Sequence, residues 1–340
     1  MLRINNQNEL VEGKFVGKNI DKIIIGPNIT YIPENCFNDC KNLNEITFEG
    51  NINNIEAAAF MGCKNLKTIN ANNINVIKDF AFYDCDNIIN FNIDENIANN
   101  IKFGSYNNSL STYFKLPEIG TSFNDLSWRK INLISKKGKA KDYFEIGNEK
   151  EIAIDSEIYH IQIIGFDHDD KSDGSGKAGI TVQFKEIMTT GKAMNSSRGN
   201  VGGWKDSKMR TYLSNNIYNS LPSDLQAVIK EVNKVSDNGN MDKTTLNITK
   251  DKLFLLSLEE VGFTSNDVYG EYINGQGIKY KYFTDDNSRV KKYLSGELSF
   301  WWLRSAYTND TNNFFFVYFN GDWNYFRANG VNGVVPAFCI

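Results

Sequence analysis

Three segments near the amino terminus align without gaps: IPENCFNDCKNLNEITF at 32–48, IEAAAFMGCKNLKTINA at 55–71 and IKDFAFYDCDNIINFNI at 77–93. Phe37, Phe60 and Phe82 are 23 and 22 residues apart, and Cys40, Cys63 and Cys85 follow the same intervals, as do Leu43, Leu66 and Ile88. The stretch KIIIGPNI at 22–29 matches the closing strand of a unit, with Ile23 and Ile25 in the places of Ile46 and Phe48. A period of this length marks a stack of supersecondary units, each too small to bury its own apolar face. The thiols read as small buried hydrophobes at equivalent depths, with a redox or metal-binding row as the alternative. Stacking is expected to hold them a full repeat apart, beyond disulfide reach. Five cysteines, an odd number without CxxC spacing, argue against a disulfide framework and a zinc ribbon.

These units resemble the BspA-type leucine-rich repeat, whose core pattern is AF-x-x-C-x-x-L followed by a strand. AFMGCKNL at 59–66 and AFYDCDNI at 81–88 carry it, and CFNDCKNL at 36–43 departs only by Cys36 for Ala. The resemblance covers about residues 15–100, three to four units. It implies a partner-binding module of the kind found in bacterial surface and interaction proteins, and a short array suits a cap or spacer as well. Asn makes up 23 of the first 100 residues, which reads as base composition as much as structure.

The repeat stops after about residue 100, and the 340-residue length leaves room for a second domain. The resulting division is repeats over 1–105, a polar connector over 106–126 and a second domain over 127–340. Overall charge is −4, from 37 Lys and Arg against 41 Asp and Glu, so nucleic acid is not an expected partner. No apolar run approaches the roughly 20 residues of a membrane span. MLRINNQNELVEGKF has no apolar block and is not read as a secretory signal. Localisation stays open between the cytoplasm and a bacterial surface reached by an unusual route. With two histidines, His160 and His168, no metal or organic cofactor is expected.

In the second domain, EIAIDSEIYHIQIIGF reads as strand, turn and strand. Residues 204–219 read as a helix with Met209, Tyr212, Leu213 and Ile217 on one face. Ser223 with Gln226 forms a capping-box pattern before Leu225, Val228, Ile229 and Val232, and Ser257 with Glu260 repeats it after the apolar strand KLFLLS. The class expected is α+β, with helices in the middle. GFDHDD, GGWKDSKMRTYL, LPSDLQAVIKEVNK, DKLFLLSLEEV, WWLRS and GVVPAF, in this order, resemble a bacterial domain family of unassigned function that often follows BspA-type repeats. Val335 stands where that family usually has Arg. The ending, from WWLRS to the closing Pro-Ala, also resembles the C-type-lectin-like fold of the variable proteins of diversity-generating retroelements and, more distantly, formylglycine-generating enzymes. The latter chemistry needs paired cysteines, and this domain has only Cys339.

Twelve aromatics crowd residues 300–327. WWLRS reads as core, with Arg304 tying down loops through its fork of donors. Beyond it, aromatic rings mixed with Asn, Asp and Arg on turn-rich sequence resemble an antibody paratope in chemistry. The candidate ligand-binding residues are Tyr307, Asn309, Asp310, Asn312, Asn313, Phe314, Phe316, Tyr318, Asn320, Asp322, Trp323, Tyr325, Arg327 and Asn329, for a protein or glycan ligand. Phe315, Val317 and Phe319 are assigned to the core face, and a slip of one residue would invert this. The competing reading is an ordinary aromatic core. An alternative function places an enzyme or calcium site in the acidic loop, on Asp167, Asp169 and Asp173 with His168, although Lys171 and Ile180 occupy ligand positions of a calcium loop. GSGKAG at 174–179 reads as a turn.

Overall fold

The computed structural model describes residues 1–93, 95–98, 100–107, 110, 115–268 and 272–340. They form two compact units, Met1–Pro117 and Glu118–Ile340. Of the stretch expected as a connector, residues 108, 109 and 111–114 lie outside the described residues.

In the first unit, β1 (Leu2–Ile4), β2 (Lys22–Ile25), β3 (Tyr31–Ile32), β4 (Glu45–Ile55), β5 (Thr68–Ile77), β6 (Asn90–Asn92) and β7 (Lys102–Phe103) make one parallel sheet. Leu2, Ile23, Ile46, Ile69 and Phe91 align across successive rungs. A second row runs through Ile32, Ile55, Ile77 and Phe103. The array therefore includes β1, a rung before the strand at residue 22.

The Phe period is a stack of rings. Phe15, Phe37, Phe60 and Phe82 follow one another at centroid separations of 5.1, 5.2 and 5.1 Å, nearly parallel. Each cysteine ties its rung to the one before: Cys40 Sγ donates to the Phe15 carbonyl at 3.2 Å, Cys63 to Phe37 at 3.3 Å and Cys85 to Phe60 at 3.0 Å. All five cysteines are free and buried. Burial pushes Cys36 and Cys40 up to about 12, and the Cys85 thiol beside it, with burial, pushes Cys63 up further. The expectation that successive thiols stand beyond disulfide reach is thus corrected. Parallel rungs are about 4.8 Å apart, and burial keeps the Cys36, Cys40 and Cys63 thiols protonated and inert.

Asn side chains run between rungs as well. Asn42 donates to Asn19 at 2.7 Å, Asn70 to Thr47 at 3.1 Å, Asn92 to Asn70 at 2.7 Å and Asn75 to Asn53 at 3.3 Å. The Asn content has a structural use: an amide offers donor and acceptor together, so identical positions can bond in series. At the far end, the buried Asn107 accepts from the Phe82 amide at 2.9 Å, taking the place of the carbonyl that a further rung would supply.

Each unit also contains two left-handed residues. Gly13, Asn35, Ala58 and Phe80 occupy the first position, and Gly17, Asp39, Gly62 and Asp84 the second, all with φ between 51° and 73°. Gly, Asn and Asp tolerate this region, whereas Ala and Phe are strained there.

The second unit is mostly β with few helices. β8 (Glu149–Ile154), β9 (Glu157–Phe166), β10 (Ile180–Phe184) and a final strand at Ala337–Cys339 form one antiparallel sheet in the order β8-β9-β10-final strand. A five-stranded sheet begins at β11 (Met188–Lys192). β12 (Val232–Asp237) and β13 (Leu246–Asp251) make a hairpin, as do β14 (Lys291–Lys292) and β15 (Leu298–Ser299). β16 (Trp301–Ala306), β17 (Asn313–Val317), β18 (Trp323–Arg327) and β19 (Asn332–Val334) complete the five-stranded sheet in the order β11-β19-β16-β17-β18, and Ala337–Cys339 is β20.

The helix expected near 204–219 begins at Lys208, after its Ser207 cap, and includes a π-helical turn over Leu213–Ile217; it buries Met209, Leu213 and Ile217. The helix expected after Ser223 lasts only to Gln226. Lys230 donates its amide to the Cys339 carbonyl, and Val232 enters β12, so tertiary pairing overrides the helical spacing. Ser257 and Glu260 do form reciprocal capping bonds, at 3.2 and 3.0 Å, but around a single turn. KLFLLS is not a strand: its one bridge joins Phe254 to Ala337, and the Leu255 and Leu256 carbonyls accept from Arg304.

Ala58→Gly should stabilise the first unit by about 1 kcal/mol, because glycine removes the left-handed penalty of a side chain. Urea titration followed by far-UV circular dichroism reads the shift.

Candidate functional site

Five residues of β17 and five of β18 pair antiparallel, with Phe314 opposite Phe326, Phe315 opposite Tyr325, Phe316 opposite Asn324 and Val317 opposite Trp323. β17 lies between β16 and β18, and its residues 314–317 are buried on both faces. β18 is the edge of the sheet, and its residues 324–327 are all exposed. Burial thus changes from strand to strand instead of alternating along each one.

On one face, Tyr325 stacks on Tyr307 at 4.1 Å, with Phe315 edge-on to Trp323 at 5.7 Å. On the other, Phe326 covers Trp302, and Phe300 gathers Phe316, Tyr318 and Phe319 within 6.1 Å. The edge is covered by its own side chains: Asp322 Oδ1 accepts from the Trp323 amide and Asn324 Oδ1 from the Tyr325 amide, both at 2.8 Å. A row of free amides, the usual hazard of an edge strand, is thereby blunted.

Among the residues expected to bind a ligand, Asn309, Asn320, Asp322, Tyr325, Arg327 and Asn329 are exposed. Asp310, Asn312, Asn313, Tyr318 and Trp323 are half-buried. Tyr307, Phe314 and Phe316 are buried and support the sheet, a correction to their assignment as contact residues. Phe319 is corrected in the other direction. It was assigned to the core but is 45% exposed, because the chain leaves β17 at Val317 and turns at Gly321, which has φ of 87°. Two further positions of β18 join the surface: Asn324 and Phe326.

The loop between β16 and β17 is held from two sides. Asp310 accepts from the amides of Asn312 and Asn313 at 2.7 and 3.0 Å. Asn200, fully buried, donates to the carbonyls of Tyr307, Asp310 and Asn313 at 3.1, 3.3 and 2.9 Å. Nothing in the local sequence marks Asn200, which lies over a hundred residues away; only its place in a Gly-rich turn offered a signal.

The acidic loop is dispersed by the fold. Asp167 pairs with Lys141 at 2.7 Å on the surface, and Asp173 accepts from the Ser175 amide at 2.8 Å. Asp169 turns inward to Lys234 Nζ at 2.7 Å, Thr181 Oγ1 at 2.6 Å and the Tyr280 hydroxyl. Among the described residues, no group of three or more His, Cys, Asp or Glu is placed to hold a metal ion. His168 stacks on Tyr280 at 3.9 Å, and its Nε2 meets the Ile278 carbonyl at 3.0 Å.

Asp169 is one end of a buried chain of charges. Lys234 bridges Asp169 and Glu260, and Arg304 pairs with Glu260 through both terminal nitrogens. Arg304 also donates to the carbonyls of Val235 at 3.1 Å, Leu255 at 2.9 Å and Gln276, so its fork fixes loops as expected. Burial opposes ionisation of Asp169 and Glu260, but Lys234 holds the first carboxyl low and Arg304 with Lys234 the second. Asp237, next to this chain, is paired with no cation among the described residues. Burial pushes it up to about 7 against hydrogen bonds from the Ala306 and Gly239 amides and Gln276.

With this geometry in view, sequence comparison assigns the parts. Residues 8–134 match the BspA type leucine rich repeat region in six copies, and residues 179–340 match Domain of unknown function (DUF6273). The chain carries both modules. The repeat match extends beyond the expected 15–100 at both ends. The DUF6273 segment contains Lys234, Glu260 and Arg304, while Asp169 lies before it within the same compact unit. No curated protein and no solved structure matches the chain significantly. Among the described residues, no helix is long and apolar enough to cross a membrane. Repeats of this type suggest a protein-interaction role.

Arg304→Lys keeps the charge but loses the fork, and should cost about 2–3 kcal/mol in urea titration, as expected for buried acceptors left without donors. Lys291 gives a second test. Buried, with Nζ on the Phe184 carbonyl at 3.0 Å, it is driven down by burial to about 7 against the pull of Glu186. Between that value and the usual 10.5, the unfolded chain holds the proton and the folded chain does not, so wild-type stability falls as pH drops from 10.5 to 7. Lys291→Met should flatten this slope and raise stability at neutral pH by about 2 kcal/mol.

Proposed function

We propose that the chain is a non-catalytic recognition protein whose carboxyl-terminal unit binds a protein or glycan at the aromatic edge of its five-stranded sheet. The observation that carries this reading is β18: an edge strand whose residues 324–327 are all exposed, with Tyr325 38% accessible on one face of the sheet and Phe326 39% accessible on the other. Rigid amphipathic rings bordered by Asn and Arg suit a binding face, because rings supply contact area at low entropic cost and amides adapt. The repeats support the same class, since their polar sheet face and stacked rungs build an interaction surface. Asp169, the central carboxylate of the alternative enzyme or calcium reading, is held by Lys234, and no observation favours that reading.

The scaffold is taken as C-type-lectin-like, in keeping with the run from WWLRS to the closing Pro-Ala, and the face as one diversified by a retroelement. In that arrangement β16 and β17 form the constant support, while β18 and its flanking turns carry the variation.

Sequencing codons 300–340 across many isolates of the source population tests this. Substitutions should gather at positions 309, 312, 320, 324–327 and 329, and spare 301–305 and 314–317. An unvarying 320–329, or changes spread evenly over the segment, overturns the diversified face.

A further inference from the structure

A groove lies in the second unit, and none of its lining residues belongs to β18. It is lined by Glu157 and Tyr159 of β9, Ile187 and Gly191 at β11, and the β14–β15 turn with Tyr293, Leu294 and Glu297; its volume is about 570 Å³. Tyr159 and Ile187 form a buried floor, while Leu294 and Val331 stand on the rim, 41% and 63% exposed. Gly191 keeps the space open. A Cβ there would come within 2.5 Å of Val331 Cγ1, so any side chain would displace the rim inward or fill the groove.

The charge on this surface is of one sign. Glu157 and Glu297 are the only charged residues lining the groove, and neither is in an ion pair among the described residues. The Tyr159 hydroxyl donates to Glu157 Oε2 at 2.6 Å, which orients that carboxylate at the groove. Apolar walls with two uncompensated carboxylates complement a chain that is both aliphatic and cationic. Long basic side chains have this character, because their stems lie along apolar surface while the head reaches a charge.

We propose that this groove binds an extended peptide segment in which Lys or Arg stands beside aliphatic side chains. The aliphatic residues would pack on Tyr159, Leu294 and Val331, and the basic head would meet Glu157 and Glu297. This site is independent of the recognition face proposed for β18.

The test uses the intact chain and a fluorescein-labelled peptide, Gly-Leu-Lys-Leu-Ser with blocked ends, with the Lys-to-Glu peptide as control, read by fluorescence anisotropy. The Lys peptide should bind in the sub-millimolar range and the Glu peptide should not. Glu157→Gln with Glu297→Gln should weaken binding about tenfold, the effect of two partly exposed ion pairs, and raising salt from about 0.05 M to about 0.5 M should act similarly. Gly191→Leu should abolish binding by filling the groove, while Tyr325→Ala should leave it unchanged, which separates this site from the β18 face. Equal binding of the two peptides, no binding below about 1 mM, or indifference to the double Gln variant overturns the proposal. So does self-association in sedimentation that Val331→Asp abolishes, since a second copy would then occupy the groove.

Discussion

The buried chain Asp169–Lys234–Glu260–Arg304 is the constraint on which the second unit depends. Its four members come from the loop after β9, from β12, from the capped turn at Ser257 and from β16, so a single set of contacts joins segments that no sheet connects. Ions removed from water are tolerated only with opposite charges and hydrogen bonds around them. Here each has both, and Arg304 donates to three main-chain carbonyls, two of which, Leu255 and Gln276, lie in irregular segments. Irregular backbone can thus be buried in this unit because a guanidinium supplies donors where a ladder would.

That arrangement also explains why β16 is uniformly buried and why the aromatic strands are laid beyond it. With β16 fixed through Arg304, β17 inherits a rigid neighbour on one side, and β18 is left with its second edge to solvent. The exposed rings of β18 rest on Tyr307 and Trp302, which are themselves fixed. Groups available for contact are therefore held by groups that are not, the arrangement that preserves a shape while its surface chemistry changes.

The repeats were legible because their physics is local and periodic: Phe every 22 or 23 residues becomes a ring stack, and the Cys spacing becomes a bonded ladder. β1 was missed because it precedes the first Phe-bearing unit, that of Phe15, which closes with β2. In the second unit the hairpin of β8 and β9 was legible from alternation. The helix expected after Ser223 was not, because spacing at Leu225, Val228, Ile229 and Val232 fits a helix locally, while pairing with Leu246–Asp251 and Cys339 decides against it from far along the chain. Position on a sheet governs the same problem at the candidate site. Phe314 and Tyr325 are alike in composition and context, and only the strand order makes one core and the other surface.

The rung-to-rung bonds of the repeat array bear on how such a chain can change in length. Phe ring, Cys thiol and left-handed turn positions each contact only the units before and after, and the array is closed at its far end by Asn107. A duplication or deletion of one whole period, made anywhere between β1 and that closing residue, would rejoin like to like and lengthen or shorten the stack by one strand spacing. A gain or loss of a few residues would instead set rings against thiols. Copy number is the variable that recombination can alter in this gene segment without re-solving the fold, and Asn107 is the fixed terminus against which it is counted.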